Sequence, residues 1–524
     1  MLRIRQVEVD INKNNIEELK KQTSIKLKIK KEDIKYIKIN KKSLDARKKL
    51  KFIYEVDIKI QNEIDVLNKN NKDVLITPDE KYEINITGKN KIKNNPVIVG
   101  AGPAGLFSAY FLAKLGYKPL IIERGQRVED RIKSVEEFWK SGILNTNSNV
   151  QFGEGGAGTF SDGKLNTLSK DKEHRMKEIF KIFVENGANP DILYENKPHI
   201  GTDILRKVIV NIRNKIIDMG GTFRFNTCLT DLKIENNKIV AIEVNNKEII
   251  KTDVAIIAIG HSARDTFYML NNYLEMTSKP FAMGIRIMHN QELINTSQYG
   301  IKNHPELKEA SYKLTYNTKD KRGVYSFCMC PGGYVVNASS EENLLAINGM
   351  SNYSRDSGFA NSAIVVTVGP NDFGTNLFDG LEFQRKLEEK AYKLGNGNIP
   401  IQLLKDYKDD KKSYKFKSIK PIFKGNYIFT NLNELYPSYI NDALKEAIPY
   451  FGKKIKGFDH DDAVIAGIES RTSSPIRIIR GENLISNIDG IYPCGEGSGY
   501  AGGITTACMD GLKVVEEIVK IYKP

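Results

Sequence analysis

The stretch Val97-Ile-Val-Gly-Ala-Gly-Pro-Ala-Gly105 runs from an apolar, strand-like tripeptide into a Gly-x-Gly-x-x-Gly turn, and a second apolar run, Lys118-Pro-Leu-Ile-Ile-Glu123, ends on a carboxylate. Each glycine has its own reason to be there. Gly100 permits the tight turn off the strand, Gly102 lets the backbone approach a pyrophosphate with no Cβ in the way, and Gly105 lets the next helix lie close on the sheet. Ala101, Pro103 and Ala104 complete the turn, and Leu106, Ala109, Tyr110, Ala113 and Leu115 supply an apolar helical stripe that Gly116 ends. The helix begins at the phosphate, so its free N–H groups and positive end face the anion. Glu123, with Arg124 beside it, stands where both hydroxyls of an adenosine ribose can donate to it. The pattern predicts a βαβ unit that holds a dinucleotide.

At 524 residues the chain is long enough for about three to four domains. No apolar stretch approaches the roughly 20 residues of a membrane span, and Met1-Leu-Arg-Ile-Arg-Gln lacks a signal-peptide core. The expectation is a cytoplasmic protein with no membrane partner. Five cysteines, at 228, 328, 330, 494 and 508, form neither a disulfide framework nor paired Cys-x-x-Cys metal sites. Reduced thiols and no metal are expected, with Cys494 and Cys508 as packing residues.

The net charge is +14, and residues 1 to 95 hold 24 Lys and Arg against 15 Asp and Glu, an excess of 9. Its densest part is Lys41-Lys-Ser-Leu-Asp-Ala-Arg-Lys-Lys-Leu-Lys51. Such a run can contact phosphates, yet no aromatic residues interleave with it, which favours a solvated face over a nucleic-acid surface.

The chain divides at changes of pattern. Residues 1–90 read as a small α+β domain, with strands at Ile4–Ile11, Tyr36–Ile39 and Phe52–Ile60 and a helix at Asn15–Lys21. Residues 91–275 read as the first part of the dinucleotide-binding domain. Within them, a helix begins near Thr202 or Asp203, either of which can cap it, and the apolar run Val254–Gly260 is a buried parallel strand that delivers His261-Ser-Ala-Arg-Asp265 to the ligand edge of the sheet. Residues 276–460 read as an inserted, mostly antiparallel β substrate domain, and 461–524 close the parallel sheet. The fold class is therefore α/β, a Rossmann-like parallel sheet flanked by an N-terminal α+β domain and the insert. No second Gly-x-Gly-x-x-Gly occurs within the insert, which argues against a separate nicotinamide-binding domain there.

Two further glycine-rich segments bear on the ligand. In Gln151-Phe-Gly-Glu-Gly-Gly-Ala-Gly-Thr-Phe-Ser-Asp-Gly-Lys-Leu165, the glycines suit a backbone wrapped closely around a cofactor, which places Gly155, Gly156, Gly158 and Thr159 in the binding set. Asp162 and Lys164 are candidates to meet the cofactor or a substrate. Toward the C-terminus, Gly490-Ile-Tyr-Pro-Cys-Gly-Glu496 is a strand closing on a glycine and a carboxylate, and Gly497–Ala507 opens the last helix.

This closing segment resembles that of flavoproteins with the glutathione-reductase type of FAD domain. The resemblance implies that Gly495 and Glu496 meet the ribitol, with glutamate where the family uses aspartate, and that Gly502, Gly503 and Ile504 start a helix aimed at the flavin pyrimidine ring. With Gly100–Gly105, Glu123, the Phe152–Leu165 loop, the strand ending at Gly260 and Gly467-Ile-Glu-Ser-Arg-Thr-Ser-Ser-Pro475, nearly the whole chain looks like the uncharacterised bacterial FAD-dependent dehydrogenase family. That family implies FAD and an oxidoreductase role, without a known substrate.

Side chains that could take part in chemistry are few. Cys328-Met-Cys330 would place two thiols on one face of a strand, where they can exchange electrons or pack as small core residues. Arg471 can bind an anion through its planar fork or order its loop. His261 suits proton donation but shows no carboxylate partner in the sequence, and His199 is a weaker candidate. Three functions remain open: an FAD oxidoreductase moving a hydride between a reduced donor, for which NAD(P)H is a candidate, and a small-molecule substrate; an RNA-directed flavoenzyme using residues 1–95; and a flavin redox sensor without turnover.

Overall fold

The computed structural model describes residues 1–69, 71–167 and 169–524. At the N-terminus, Leu2–Asp10, Tyr36–Asp45, Lys51–Lys59 and Val74–Ile76 form a four-stranded antiparallel sheet in the order second, third, first, fourth. The helix Ile16–Leu27 packs on it, capped by Asn15, whose side chain accepts from Glu18 N–H. Phe52, Tyr54, Val56 and Ile58 alternate inward along one strand, the period-two pattern of a sheet with one buried face. After this sheet, Asn90–Lys91 pairs in parallel with the C-terminal Tyr522–Lys523.

The dinucleotide unit forms as its pattern predicts. Val97–Val99, Leu120–Ile122 and Thr222–Arg224 lie on one side of a five-stranded parallel sheet, with Ala255–Ile257 and Ile491–Pro493 on the other side of Val97–Val99. The helices Pro103–Lys114 and Ile504–Ile521 pack against each other so closely that a Cβ on Gly511 would stand 2.5 Å from the Ala104 carbonyl oxygen. Two strands distant in sequence thus bring two helix starts to one edge of the sheet.

The helix expected to be capped by Thr202 or Asp203 runs over Thr202–Asp218 and is capped instead by Gly201, at φ +80°. A Cβ on Gly201 would lie 2.2 Å from Tyr353 N, so close backbone approach selects glycine there. The Thr202 hydroxyl is turned to the Thr159 carbonyl at 2.6 Å, and the Asp203 carboxylate accepts from Tyr353 N–H at 2.8 Å.

The insert is built on a seven-stranded sheet with Phe281–Asn290 at its centre, between Phe359–Val368 and Val464–Glu469. Val464–Glu469, read from the sequence as part of the closing segment, belongs to this sheet, so the chain returns to the parallel sheet only after Glu469. Its apolar side chains form the largest core of the protein, with Ser438–Lys454 packed on it. Among the described residues no helix is long and apolar enough to cross a membrane.

Candidate functional site

One cleft of about 390 Å³ runs from the Gly-x-Gly-x-x-Gly turn to the insert. At its first end the three glycines separate by role. Gly100 has φ +102°, and a Cβ there would lie 2.4 Å from the Ala258 carbonyl oxygen. A Cβ on Gly105 would lie 1.9 Å from the Gly100 carbonyl oxygen, whereas one on Gly102 would meet only Gly156 Cα, at 3.9 Å, and would occupy the open cleft. Of the three, Gly100 and Gly105 are required by the protein's own close packing, and only Gly102 leaves its Cβ position open to the cleft.

Glu123 is buried and its carboxylate already accepts three backbone N–H groups, from Ala101 at 2.8 Å, Gly125 at 2.9 Å and Gly153 at 3.0 Å. A carboxylate offers about four acceptor positions, so one remains. The carboxylate thus clamps turn to glycine loop and has room for one ribose hydroxyl rather than two. Arg124 lies over the Phe152 ring at 4.5 Å and donates to Asp265 at 2.7 Å.

The glycine loop is held from inside by Arg131, which is fully buried and donates to the carbonyls of Asn149, Val150, Gly153, Glu154 and Gly156 at 2.7 to 3.2 Å. Its signal in the sequence was absent, since an arginine on an amphipathic helix reads as a surface residue. Of the loop residues expected at the cofactor, Gly156 and Gly158 line the cleft. Gly155 and Thr159 do not: Gly155 N–H donates to Ala101, and buried Thr159 supports the loop through Thr202. Ala101 and Gly105 likewise stand behind the cleft wall, while Pro103 and Ala104 line it.

The closing motif reaches the same cleft. Gly495 (φ +79°) donates its N–H at 2.8 Å to Asp510, which is paired with Arg480. Gly260, Gly502, Gly503 and Ile504 all line the cleft. Helix Pro103–Lys114 begins at Gly102 and helix Ile504–Ile521 at Gly503, and neither start carries a side-chain cap. Two long helices thus open uncapped N-termini into one cavity, an arrangement that favours negative charge at two points along it. The residues fit an extended, negatively charged dinucleotide.

His261 has a carboxylate partner after all. Its Nδ1 lies 3.2 Å from Glu496 Oε1, and its buried Nε2 has no partner among the described residues. Glu496, expected at a ribitol, is engaged with this histidine in the same cleft. His199 is remote in role: its Nε2 bonds the Tyr353 carbonyl at 3.1 Å, and burial pushes its pKa down to about 4.

Arg471 lines the cleft, but its guanidinium is committed. It makes a forked contact to Glu388, at 3.0 and 2.9 Å, and donates to Ser340. Glu388 is fully buried and also takes Arg264 in a second fork, at 2.9 Å twice. Burial alone would raise the Glu388 carboxyl, but Arg264 and Arg471 hold it well below the carboxylate range. Of the two roles open to Arg471, the structure shows the ordering one. Asp162 is similarly tied to Arg355 at 2.7 and 3.1 Å.

At the insert end, Cys328 lines the cleft while Cys330 is buried behind it. The expectation of two thiols on one strand face fails, because the pairing of Gly323–Cys330 with Phe359–Val368 slips between Phe327 and Cys330, and Cys328 takes φ +44°. Arg286 donates to the Cys328 carbonyl at 3.1 Å and to Glu469 at 2.8 Å; both Arg286 and Glu469 are buried, and Glu469 also faces the cleft. Burial pushes the Glu469 carboxyl up, with Arg286 opposing. The sequence offered a signal for this pair: one arginine in Phe281–Met288 and one glutamate in Val464–Glu469, each alone in an apolar strand.

The basic run at 41–51 offers little free charge. Lys42 lies over the Phe52 ring and 3.5 Å from Glu195, Arg47 pairs with Asp45, Lys49 with Asp10 and Lys51 with Glu8.

Residues 280–472 match the family model described as FAD-dependent protein, C-terminal domain-like, residues 98–150 match an NAD(P)-binding Rossmann-like domain, and residues 1–59 match a domain of unknown function. An uncharacterized protein of Clostridium beijerinckii is 47% identical over 531 residues, covering 99% of each chain. Among solved structures, L-proline dehydrogenase from P. horikoshii (14% identity, TM-score 0.32) covers 82% of this chain and 94% of its own. Glycine oxidase from Geobacillus kaustophilus (10% identity, TM-score 0.38) covers 83% and 96%.

Proposed function

The chain belongs to the family of its Clostridium beijerinckii relative and carries an FAD-dependent protein, C-terminal domain-like region, and on that premise we propose that it is an FAD-dependent oxidoreductase that moves a hydride between a reduced donor and a small-molecule substrate that enters at the insert end of the cleft. The observation that carries this reading is the single cleft onto which two uncapped helix starts open, at Gly102 and at Gly503. Bound FAD supplies the hydride chemistry. We assign its pyrophosphate to Gly102 and the N-terminus of Pro103–Lys114, a ribose hydroxyl to Glu123, and its ring to Gly502, Gly503 and Ile504, the arrangement of a glutathione-reductase type of FAD domain.

The chain's own groups divide the remaining work. The Ile504–Ile521 helix start stabilises negative charge next to it. His261, oriented by Glu496, holds a ring nitrogen available for a proton. The donor we infer first is NADH or NADPH resting transiently in the open end, since the insert carries no Gly-x-Gly-x-x-Gly turn that would hold a second dinucleotide.

The test is anaerobic titration of the purified, FAD-loaded protein with NADH, NADPH, amines and hydroxy acids, followed in the flavin absorbance. Bleaching by one donor class and its reversal by an acceptor are expected. A protein that binds no FAD, or bound flavin that no donor bleaches, would overturn the proposal.

A further inference from the structure

Cys328 and Cys330 are the reactive groups that the hydride reading leaves unused. The strand that carries them is interrupted where it meets the cleft. Its register slips between Phe327 and Cys330, and Cys328 sits at φ +44°, a conformation unfavourable for a residue with a Cβ. A regular strand would have turned both thiols to one face. Instead, Cys328 reaches the cleft, and Cys330 lies behind it with its sulfur donating to the Cys328 carbonyl at 3.3 Å. That same carbonyl accepts from Arg286, so the bulge is fixed from both sides.

The spacing suits a bond between the two sulfurs. Two residues of extended chain span at most about 7 Å, which already reaches the roughly 4.4 to 6.8 Å between Cα atoms that a disulfide bridges. The electrostatics suit a thiolate at the front position. The Cys330 thiol, and after it the charges of Lys164 and Arg286, hold the Cys328 thiol below the usual cysteine range against the opposing effect of burial. The partner thiol is pushed the other way, by Cys328 and by its own burial, and so stays protonated. Cys228, Cys494 and Cys508 lack this arrangement, since burial pushes each of them up.

We propose that Cys328 and Cys330 form a reactive dithiol and that a small disulfide is the substrate class of the insert end of the cleft. The Cys328 thiolate attacks one sulfur of the disulfide, forming a mixed disulfide and expelling the other half as a thiolate. Cys330 then gives up its proton and attacks the Cys328 sulfur, closing a Cys328–Cys330 disulfide and releasing the second half. The substrate gains two electrons and becomes two thiols, and the protein pair loses two electrons. A dithiol reductant restores the pair by the same exchange in reverse. A lone nucleophile would serve for other electrophiles; a second thiol held against the first serves to resolve a mixed disulfide. The inference deepens the oxidoreductase reading and rests on it for the place of the pair beside the cofactor cleft.

The test uses the FAD-loaded full chain, pre-reduced and freed of thiols, mixed with dithiodipyridine. Thiopyridone release is read by absorbance and the product by intact and peptide mass. The expected result is a fast release of two thiopyridones per chain, leaving a protein lighter by two hydrogens with Cys328 joined to Cys330. Cys330→Ser should release one and keep a thiopyridyl adduct on Cys328, and Cys328→Ser should lose the fast phase, slowing release at least about 10-fold. A wild-type protein that keeps a stable adduct on Cys328, or whose fast phase survives Cys328→Ser, would overturn the proposal. Flavin absorbance in the same samples separates the two readings. Absent flavin with intact paired release sinks the FAD reading alone, and bound flavin with a silent Cys328 sinks this one alone.

Discussion

The two ends of the cleft are made of different material. One end of the cleft is lined by backbone: Gly102, the glycine loop, two helix starts and a carboxylate, Glu123, that itself binds three backbone N–H groups. The rest of its lining is side chains brought from far apart in the chain, with Cys328 on one strand, Glu469 on another and His261 on a loop of the parallel sheet. A backbone site is written in consecutive residues, because it depends on where a Cβ is forbidden. A side-chain site depends on which strands pair, and the chain does not print that.

The strongest way to break this contrast is to put a methyl group where the backbone end has no space. Gly105→Ala would place a Cβ 1.9 Å from the Gly100 carbonyl oxygen, a clash of backbone with backbone that no rotamer relieves. We expect destabilisation above about 5 kcal/mol, enough to prevent the domain from folding. Soluble expression and the thermal unfolding midpoint check it, and a variant that unfolds like the wild type would show that the turn is looser than its glycines imply.

The insert end should respond to charge instead. Glu469→Leu leaves the fully buried Arg286 without its carboxylate, and removing one partner of a buried pair is expected to cost about 4 kcal/mol. The double variant Arg286→Met with Glu469→Leu should recover most of that loss in urea unfolding. If the double variant is as unstable as the single one, the pair holds the sheet by packing and not by charge.

These differences explain what the sequence could and could not reveal. Gly100, Gly102, Gly105, Gly503 and the parallel sheet were legible, because glycine spacing after an apolar run has one structural meaning. The mostly antiparallel character of the insert was legible as well. The His261–Glu496 contact, the commitment of Arg471 to Glu388, and the bulge at Cys328 were not. Each joins segments separated by long stretches of chain, or depends on a register slip that period-two reading assumes away.

Two buried imidazoles outside the cleft sharpen the distinction between a site and its scaffold. Burial pushes the pKa of His199 and of His289 down to about 4, from an ordinary 6.5. Both rings are therefore neutral in the folded protein and protonate freely when it unfolds. Their contribution is intact above pH 6.5 and is lost as pH falls through the window from 6.5 to about 4, by up to about 3 kcal/mol for each. Urea midpoints measured across that range should fall with pH, and His289→Gln should flatten the slope. An unchanged slope in that variant would mean that the ring is solvated when the protein is folded.

The smallest change tests the contrast most directly. Gly102 has φ −75° and ψ −177°, which alanine adopts without strain, and its added Cβ would meet nothing nearer than Gly156 Cα at 3.9 Å. Gly102→Ala should therefore leave the stability of the FAD-free protein within about 0.5 kcal/mol of the wild type, with any change favouring the folded state. The same methyl group projects into the cleft at the uncapped helix start, where the pyrophosphate is assigned, and should weaken FAD binding at least about tenfold, or about 1.4 kcal/mol. Urea unfolding of the FAD-free chain and a fluorescence titration with FAD measure the two effects separately. Gly105 and Gly102 belong to one motif, yet one substitution should remove the fold and the other only the ligand. If Gly102→Ala binds FAD as the wild type does, the pyrophosphate lies elsewhere and the backbone end loses its assigned role; if it also unfolds, that glycine serves the fold, and the division between ligand glycine and structural glycine fails.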